Sequence, residues 1–288
     1  MKFHVSSRIE YAIRFPSTLI LNIHPQQGES QLIEKEQFLV EPFVPVEHLS
    51  IPGSENRFVR LTTGDLKSLT LSYSATVDCQ HDILPAKSLE ELPVGDIPPE
   101  VIPFLFPSRY CQSDRLSRLA WDLFGKQPTP HKKVVSIVDW IHDNVEYLSG
   151  STNSGTSAFD TVTQRTGVCR DFAHLGIALC RALNIPARYF TGYAYQLDPP
   201  DFHALFEAYL GGRWVLFDAT HLAPLNGLVR IGGGRDAADA AVASIFGGVS
   251  TTSMTVDCQL AEGQTFTPVE GPDLKKAAVA LETGSDAT

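Results

Sequence analysis

Apolar and polar positions alternate in the first part of the chain and recur every three or four residues further on, so strands are expected first and helices after them. Up to about residue 83 the apolar residues come in short runs, such as Ser17 to Ile23 and Arg57 to Leu61, punctuated by Pro and Gly. The run Ser68 to Val77 follows a Gly64-Asp65 turn and alternates loosely between apolar and polar residues. That period of two is the mark of a strand buried on one face. An N-terminal antiparallel β domain, a β-sandwich, is therefore expected over 1–83.

Between Leu84 and Pro107 stand Pro85, Pro93, Pro98, Pro99, Pro103 and Pro107. Proline lacks the amide donor a helix needs and fixes φ, so 84–107 reads as an extended connector and the domain boundary. Helical periodicity begins after it. Leu116, Leu119, Ala120 and Leu123 share one face of a helix from Ser113 to Phe124, with Gly125 placed to end it. A second helix opens with Thr129 as N-cap and Pro130 at the first helical position, and carries Val134, Ile137, Val138, Ile141, Val145 and Leu148. A polar loop over 149–156 and a short helical stretch lead to Gly167-Val168-Cys169. There a further amphipathic helix starts, with Phe172, Leu175, Leu179 and Leu183 inward and Asn184 before Ile185-Pro186 as its stop. Strands are expected over 187–195, 203–210 and 213–218, then a Gly-rich loop and a late strand over 251–260. The second domain thus covers 108–270, followed by a flexible tail over 271–288.

Composition narrows the class. Of 288 residues 43% are hydrophobic and 19% charged, the balance of a globular protein with a sizeable core. A net charge of −10 opposes a nucleic-acid or anionic-membrane surface, because both need clustered Lys and Arg. Arg8, Glu10 and Arg14 interrupt the opening stretch, which is not the apolar core of a signal peptide, and no run reaches the length of a membrane span. The five cysteines form no C-x-x-C pair, so reduced thiols in a cytoplasm are expected rather than a disulfide framework or a zinc ribbon.

Cys169 is the position with chemistry. It follows Gly167 at the start of a helix, where the positive end of the macrodipole and the unpaired N–H groups of the first turn favour a thiolate. The same N–H groups can receive the oxyanion of a tetrahedral intermediate. The plainer reading, an ordinary buried thiol, fits Cys79, Cys111, Cys180 and Cys258, whose flanks offer nothing to lower a thiol pKa. Two further residues fall into the same plan. The stretch 202–218 reads as a hairpin turning at Gly211-Gly212, with Leu210 opposite Arg213. That register sets Leu205 across from Asp218 and His203 diagonal to it, about 7 to 8 Å away at the backbone and within reach of a carboxylate–imidazole hydrogen bond. His203 would take the thiol proton and return it to the leaving amine, while Asp218 fixes the imidazole. Read singly, His203 is a strand-edge residue and Asp218 a turn former before Thr220.

These residues resemble those of the bacterial transglutaminase-like proteins, often described as cysteine-protease candidates. The resemblance lies in Gly167-Val168-Cys169-Arg170-Asp171-Phe172-Ala173-His174, Phe202-His203-Ala204, Trp214 to Thr220 and Gly234-Arg235-Asp236-Ala237-Ala238-Asp239, with Pro107-Ser108-Arg109-Tyr110 further upstream. It implies an α+β fold with a papain-like, transglutaminase-like catalytic core behind the N-terminal β domain. Two departures stand out: Leu205 occupies a position often held by Trp, and Ala219 one often held by Pro.

The remaining candidates are weaker. Gln164, five residues before Cys169, is a candidate to aim its amide at the oxyanion, against the simpler reading of a solvent-exposed helical glutamine. His174 need not face the way Cys169 does, and Asp171 reads as a first-turn carboxylate. Gly232-Gly233-Gly234 lacks the following Lys-Ser or Lys-Thr of a phosphate loop and, by resemblance, lies in a loop near the active site. His142 and Glu146 sit four apart without a second His to make a zinc motif, so no metal and no cofactor are expected. The functional expectation is an acyl-transfer enzyme acting on a peptide, protein or small amide through a thioester. The competing readings are a binding or assembly module on the same fold and a ligase or synthase with the same thioester chemistry.

Overall fold

A computed structural model describes residues 1–90 and 92–281. Six strands come first, β1 (Lys2–Ile13), β2 (Thr18–Leu21), β3 (Gln31–Glu41), β4 (Val46–Leu49), β5 (Phe58–Thr62) and β6 (Ser68–Cys79), followed by the short β7 (Asp82–Pro85). In β1 the alternation buries Phe3, Val5, Ile9 and Tyr11, and in β6 it buries Leu69, Leu71, Tyr73 and Val77. Helices α1 (Ser113–Phe124) and α2 (Pro130–Asn144) come next; Thr129 caps α2 by accepting the N–H of Lys132. Beyond them lie β8 (Glu146–Tyr147), α3 (Ala158–Gln164), β9 (Thr166–Gly167), α4 (Cys169–Ala182), β10 (Ala187–Ala194), β11 (Phe202–Leu210), β12 (Arg213–Phe217) and β13 (Leu228–Gly234). The chain finishes with α5 (Ala237–Ala240), β14 (Ala243–Phe246), β15 (Val249–Leu260) and β16 (Ala277–Ala280).

The strands form two four-stranded sheets, ordered β15-β1-β6-β3 and β14-β2-β5-β4, and a six-stranded sheet ordered β13-β10-β11-β12-β16-β7. The first two make the N-terminal β unit. The third is antiparallel throughout and carries α4, whose Gly176 lies so close to Phe206 of β11 that a Cβ there would stand 2.4 Å from the ring. One apolar core lies between these helices and the six-stranded sheet; a second fills the β unit and takes in Tyr193, Phe202, Val229 and Ile231 of the sheet as well. Among the described residues no helix is long and apolar enough to cross a membrane.

Four expectations are corrected. The division at 83 and 108 is not a division of the fold. β15 returns to pair with β1 along its whole length, β14 pairs with β2, and β7 joins β16 in the six-stranded sheet, so each unit draws on both ends of the chain. The tail expected over 271–288 begins instead with a short turn and β16, where Ala278, Val279, Ala280 and Leu281 are buried; residues 282–288 lie outside the described part. A run of small apolar residues at a chain end carries no periodicity, and only the open edges of β7 and β12 give it a partner. The second helix stops at Asn144 rather than reaching Leu148, because Val145 turns extended and Glu146 and Tyr147 pair with Thr166 and Gly167. Finally, Gly232 to Gly234 end a strand rather than form a loop. The Asn56 side chain brackets Gly233, donating to its carbonyl and accepting from its N–H at 2.9 Å each, and a Cβ on Gly232 would lie 2.4 Å from the Asn22 amide. The connector, for its part, docks: Ile97 and Val101 bury against Trp214, with Phe104 edge-on to the indole at 5.2 Å.

Candidate active site

The start of α4 is built by the segment before it. β8 and β9 lie parallel, with Tyr147 opposite Gly167 and the Leu148 N–H donating to the Gly167 carbonyl at 2.9 Å. Gly167 must lack a side chain there, since a Cβ would lie 2.9 Å from that of Asp171. Asp171, fully buried, accepts from the Val168 N–H at 3.1 Å and from the Thr152 hydroxyl at 2.7 Å, and pairs with Arg170 at 3.0 Å. It satisfies an orphan donor of the first turn and ties the 149–156 loop to the helix, the structural part expected of a first-turn carboxylate. Cys169, the first residue of α4, stays partly exposed while the other four cysteines are buried. Burial pushes the thiols of Cys79, Cys111, Cys180 and Cys258 upward.

The hairpin supplies the other two groups. Gly211 and Gly212 both have positive φ, 58° and 79°, as a two-residue turn of mirror-image type requires. Leu210 faces Arg213 and the ladder runs on to Phe206 opposite Phe217, one step short of Leu205 and Asp218. There the chain turns. One carboxylate oxygen of Asp218 accepts from the N–H and the hydroxyl of Thr220, at 2.8 and 2.7 Å, and the other accepts from His203 Nε2 at 2.7 Å. Asp218 is thus a turn former and a histidine partner at once, one oxygen for each. The pair is sealed, with 1% of the His203 and 3% of the Asp218 side chain exposed. Burial alone would discharge the imidazole. The Asp218 charge and hydrogen bond, then Cys169, outweigh it and raise His203 to about 10. Burial likewise works to raise Asp218, but His203 and Thr220 outweigh it and hold the carboxyl below its ordinary range. With Nε2 committed to Asp218, Nδ1 is the ring nitrogen left for Cys169.

The other sequence candidates lie apart from this chemistry. Gln164 ends α3 with an exposed side chain that enters none of the described hydrogen bonds. His174 is fully buried, stacked on Tyr110 at 4.9 Å, and accepts the Ala237 N–H; burial drives its pKa well below the ordinary value, so it is a neutral packing residue. Asp236 holds the Tyr110 N–H at 2.8 Å. His142 stacks on His221 at 4.3 Å, and among the described residues no cluster of three His, Cys, Asp or Glu could hold a metal ion. Leu205 is buried in the helical core. Tyr147 had no part in the sequence expectations: it fell in the stretch given to the preceding helix, although Val145-Glu146-Tyr147 before Gly150 carries strand character.

A cysteine at a helix start, with a histidine on a strand of an antiparallel sheet and an aspartate just past the end of the neighbouring strand, defines the class of fold to which this chain conforms. Residues 117–219 match the model of the transglutaminase-like superfamily, and residues 1–100 that of the bacterial transglutaminase N-terminal domain. A crystal structure of a protein from Cytophaga hutchinsonii, described as a "Putative Cysteine Protease", is 55% identical, covers 98% of both chains and superposes with a TM-score of 0.93. The chain belongs to the transglutaminase-like superfamily. An uncharacterized protein of Mycobacterium leprae is 29% identical over 161 residues, 53% of this chain and 58% of that protein. One of Mycobacterium tuberculosis is 37% identical over 81 residues, which span 23% of its length. The chain therefore matches little more than half of the first of these relatives and about a quarter of the second.

Proposed function

We propose that this protein is a cysteine-nucleophile acyltransferase acting on amide bonds, with Cys169, His203 and Asp218 as its triad. The observation that carries the reading is the sealed His203–Asp218 hydrogen bond of 2.7 Å set beside the one partly exposed thiol, itself at a helix start. His203 already holds the catalytic proton as an imidazolium, with Nδ1 towards the Cys169 sulfur and Asp218 stabilising the charge. The sulfur attacks the amide carbonyl, His203 gives the proton to the leaving amine, and an acyl thioester remains on Cys169. Water resolves it in hydrolysis of a peptide, protein or small amide, and an amine resolves it in transamidation. Four buried thiols and one reactive one suit a reducing, cytoplasmic setting.

The test is labelling and turnover in one experiment. Iodoacetamide is expected to modify Cys169 ahead of the four buried thiols, and Cys169→Ala to lose both that label and turnover of a peptide and amide library. Turnover that survives Cys169→Ala would sink the mechanism.

A further inference from the structure

The triad supplies chemistry but no choice of substrate, and the residue just outside β11 is placed to make one. Phe202, the first residue of β11, pairs with Tyr193, and its ring lies 5.3 Å from the Tyr193 ring in the core of the β unit. Successive side chains of an extended chain point to opposite faces. Asp201 and His203, on either side of Phe202, therefore share the other face, about 7 Å apart along the chain. The Phe202 N–H donates to the Asp201 carboxylate at 2.7 Å, which fixes the direction of that side chain.

Asp201 stays exposed to solvent, yet its charge reaches into the site. Partial burial works to raise its carboxyl, against the Phe202 N–H and the charge of His203. Burial first, then Cys169, push the Tyr147 phenol up to about 12, and the Asp201 charge adds to them. The carboxylate thus acts both on the base and on the aromatic residue beside the nucleophile. Nothing on the helix start offsets it. The Arg170 guanidinium, next to Cys169 in the chain, is held by Asp171 at 3.0 Å and by the Asn153 carbonyl at 2.8 Å. Among the described residues no Lys, Arg or His forms an ion pair with Asp201. His203 hands its proton to the leaving amine, so the departing half of the substrate lies over the imidazole. Asp201 is the next side chain outward on that face.

We infer that Asp201 is a specificity-determining residue, its carboxylate receiving a positively charged group on the leaving-amine side of the scissile amide, such as an Arg or Lys side chain following that bond. The inference rests on the acyl-transfer reading and names its substrate class, amides whose departing half is cationic.

Two alkylating reagents read the charge without acyl transfer. 2-Bromoethylamine brings an ammonium to the Cys169 sulfur and iodoacetamide does not, so the ratio of their rates cancels the state of the thiol. Asp201→Asn is expected to lower that ratio about three- to fivefold, the size of a partly exposed charge contact. Salt at about 0.5 M should shrink the difference between wild type and variant. A second measurement reads the leaving side, because an amine that resolves a thioester enters where a leaving amine departs. With Cys169 acetylated by p-nitrophenyl acetate, wild type is expected to acetylate argininamide in preference to norleucinamide. Asp201→Asn should lose that preference at least threefold, while Asp201→Glu keeps it. Ratios unchanged in Asp201→Asn would overturn the inference. So would a change in the alkylation ratio alone, which would place the charge away from the leaving side. A wild type that forms no acetyl-enzyme would remove the acyl-transfer reading, while the alkylation ratio still decides whether Asp201 draws cations to the sulfur.

Discussion

His203 and Asp218 form a buried pair whose protonation is tied to folding. The folded state raises His203 above its unfolded value of about 6.5, so its contribution is complete below that pH and is lost as pH climbs towards about 10. Asp218 is lowered, so its contribution is present above the unfolded value of about 3.9 and is lost only as pH falls through the depressed folded value. Stability from the pair is therefore greatest between about pH 4 and 6.5. Asp218→Asn is expected to cost about 2 to 3 kcal/mol in that window, by loss of a charge-assisted buried bond. It should also flatten the fall in melting temperature between about pH 6.5 and 10, as thermal unfolding across pH will show. The residue types and spacing of this pair were legible in the chain, because a two-glycine turn fixes parity. Which Asp218 oxygen serves which partner was not, since the ladder ends one step early and Thr220 takes the other oxygen.

At the scale of elements, α4 and the hairpin hold the site. α4 ends in a Schellman arrangement: Asn184 has φ of 62°, the Ile185 N–H donates to the Cys180 carbonyl and the Asn184 N–H to that of Arg181. The Arg181 guanidinium then binds the carbonyls of Ala187, Phe106 and Arg235, clamping the far end of the helix to β10 and the connector. The hairpin turn is clamped as well, the Gly211 N–H donating to the Glu90 carbonyl at 3.1 Å. The two glycines therefore differ in what they tolerate. Gly212→Ala meets no atom within 4 Å and should cost about 1 to 2 kcal/mol for the left-handed backbone alone. Gly211→Ala should cost more, because its Cβ would meet the Leu89 Cα at 3.1 Å and the Ser88 carbonyl at 3.2 Å. Urea unfolding of the two variants checks the order. Helices α1 and α4 and the hairpin could be read from the chain because caps, glycines and apolar spacing agree there. β8 could not: two residues carry no period, and their pairing depends on β9, some twenty residues away.

The whole molecule is interlaced rather than strung from two beads. β15 covers one edge of β1, while β7 and β16 extend the six-stranded sheet from opposite ends of the chain. A fragment of residues 108–270 would lack β7 and the last strand β16, and would carry β14 and β15 without their partners. It is expected to show no cooperative thermal transition by circular dichroism, whereas residues 1–281 together melt as a unit. Alternation in β1 and β6, the proline-dense connector, the helix starts and the Gly211-Gly212 turn were set by the sequence alone, because each depends on residues close in the chain. Tertiary structure decided which edge each late strand covers, which side of Asp218 faces His203 and which aromatic residue stands beside Cys169. Those outcomes depend on hydrogen bonds and packing between segments far apart in the chain, and local residue pattern carries no record of them.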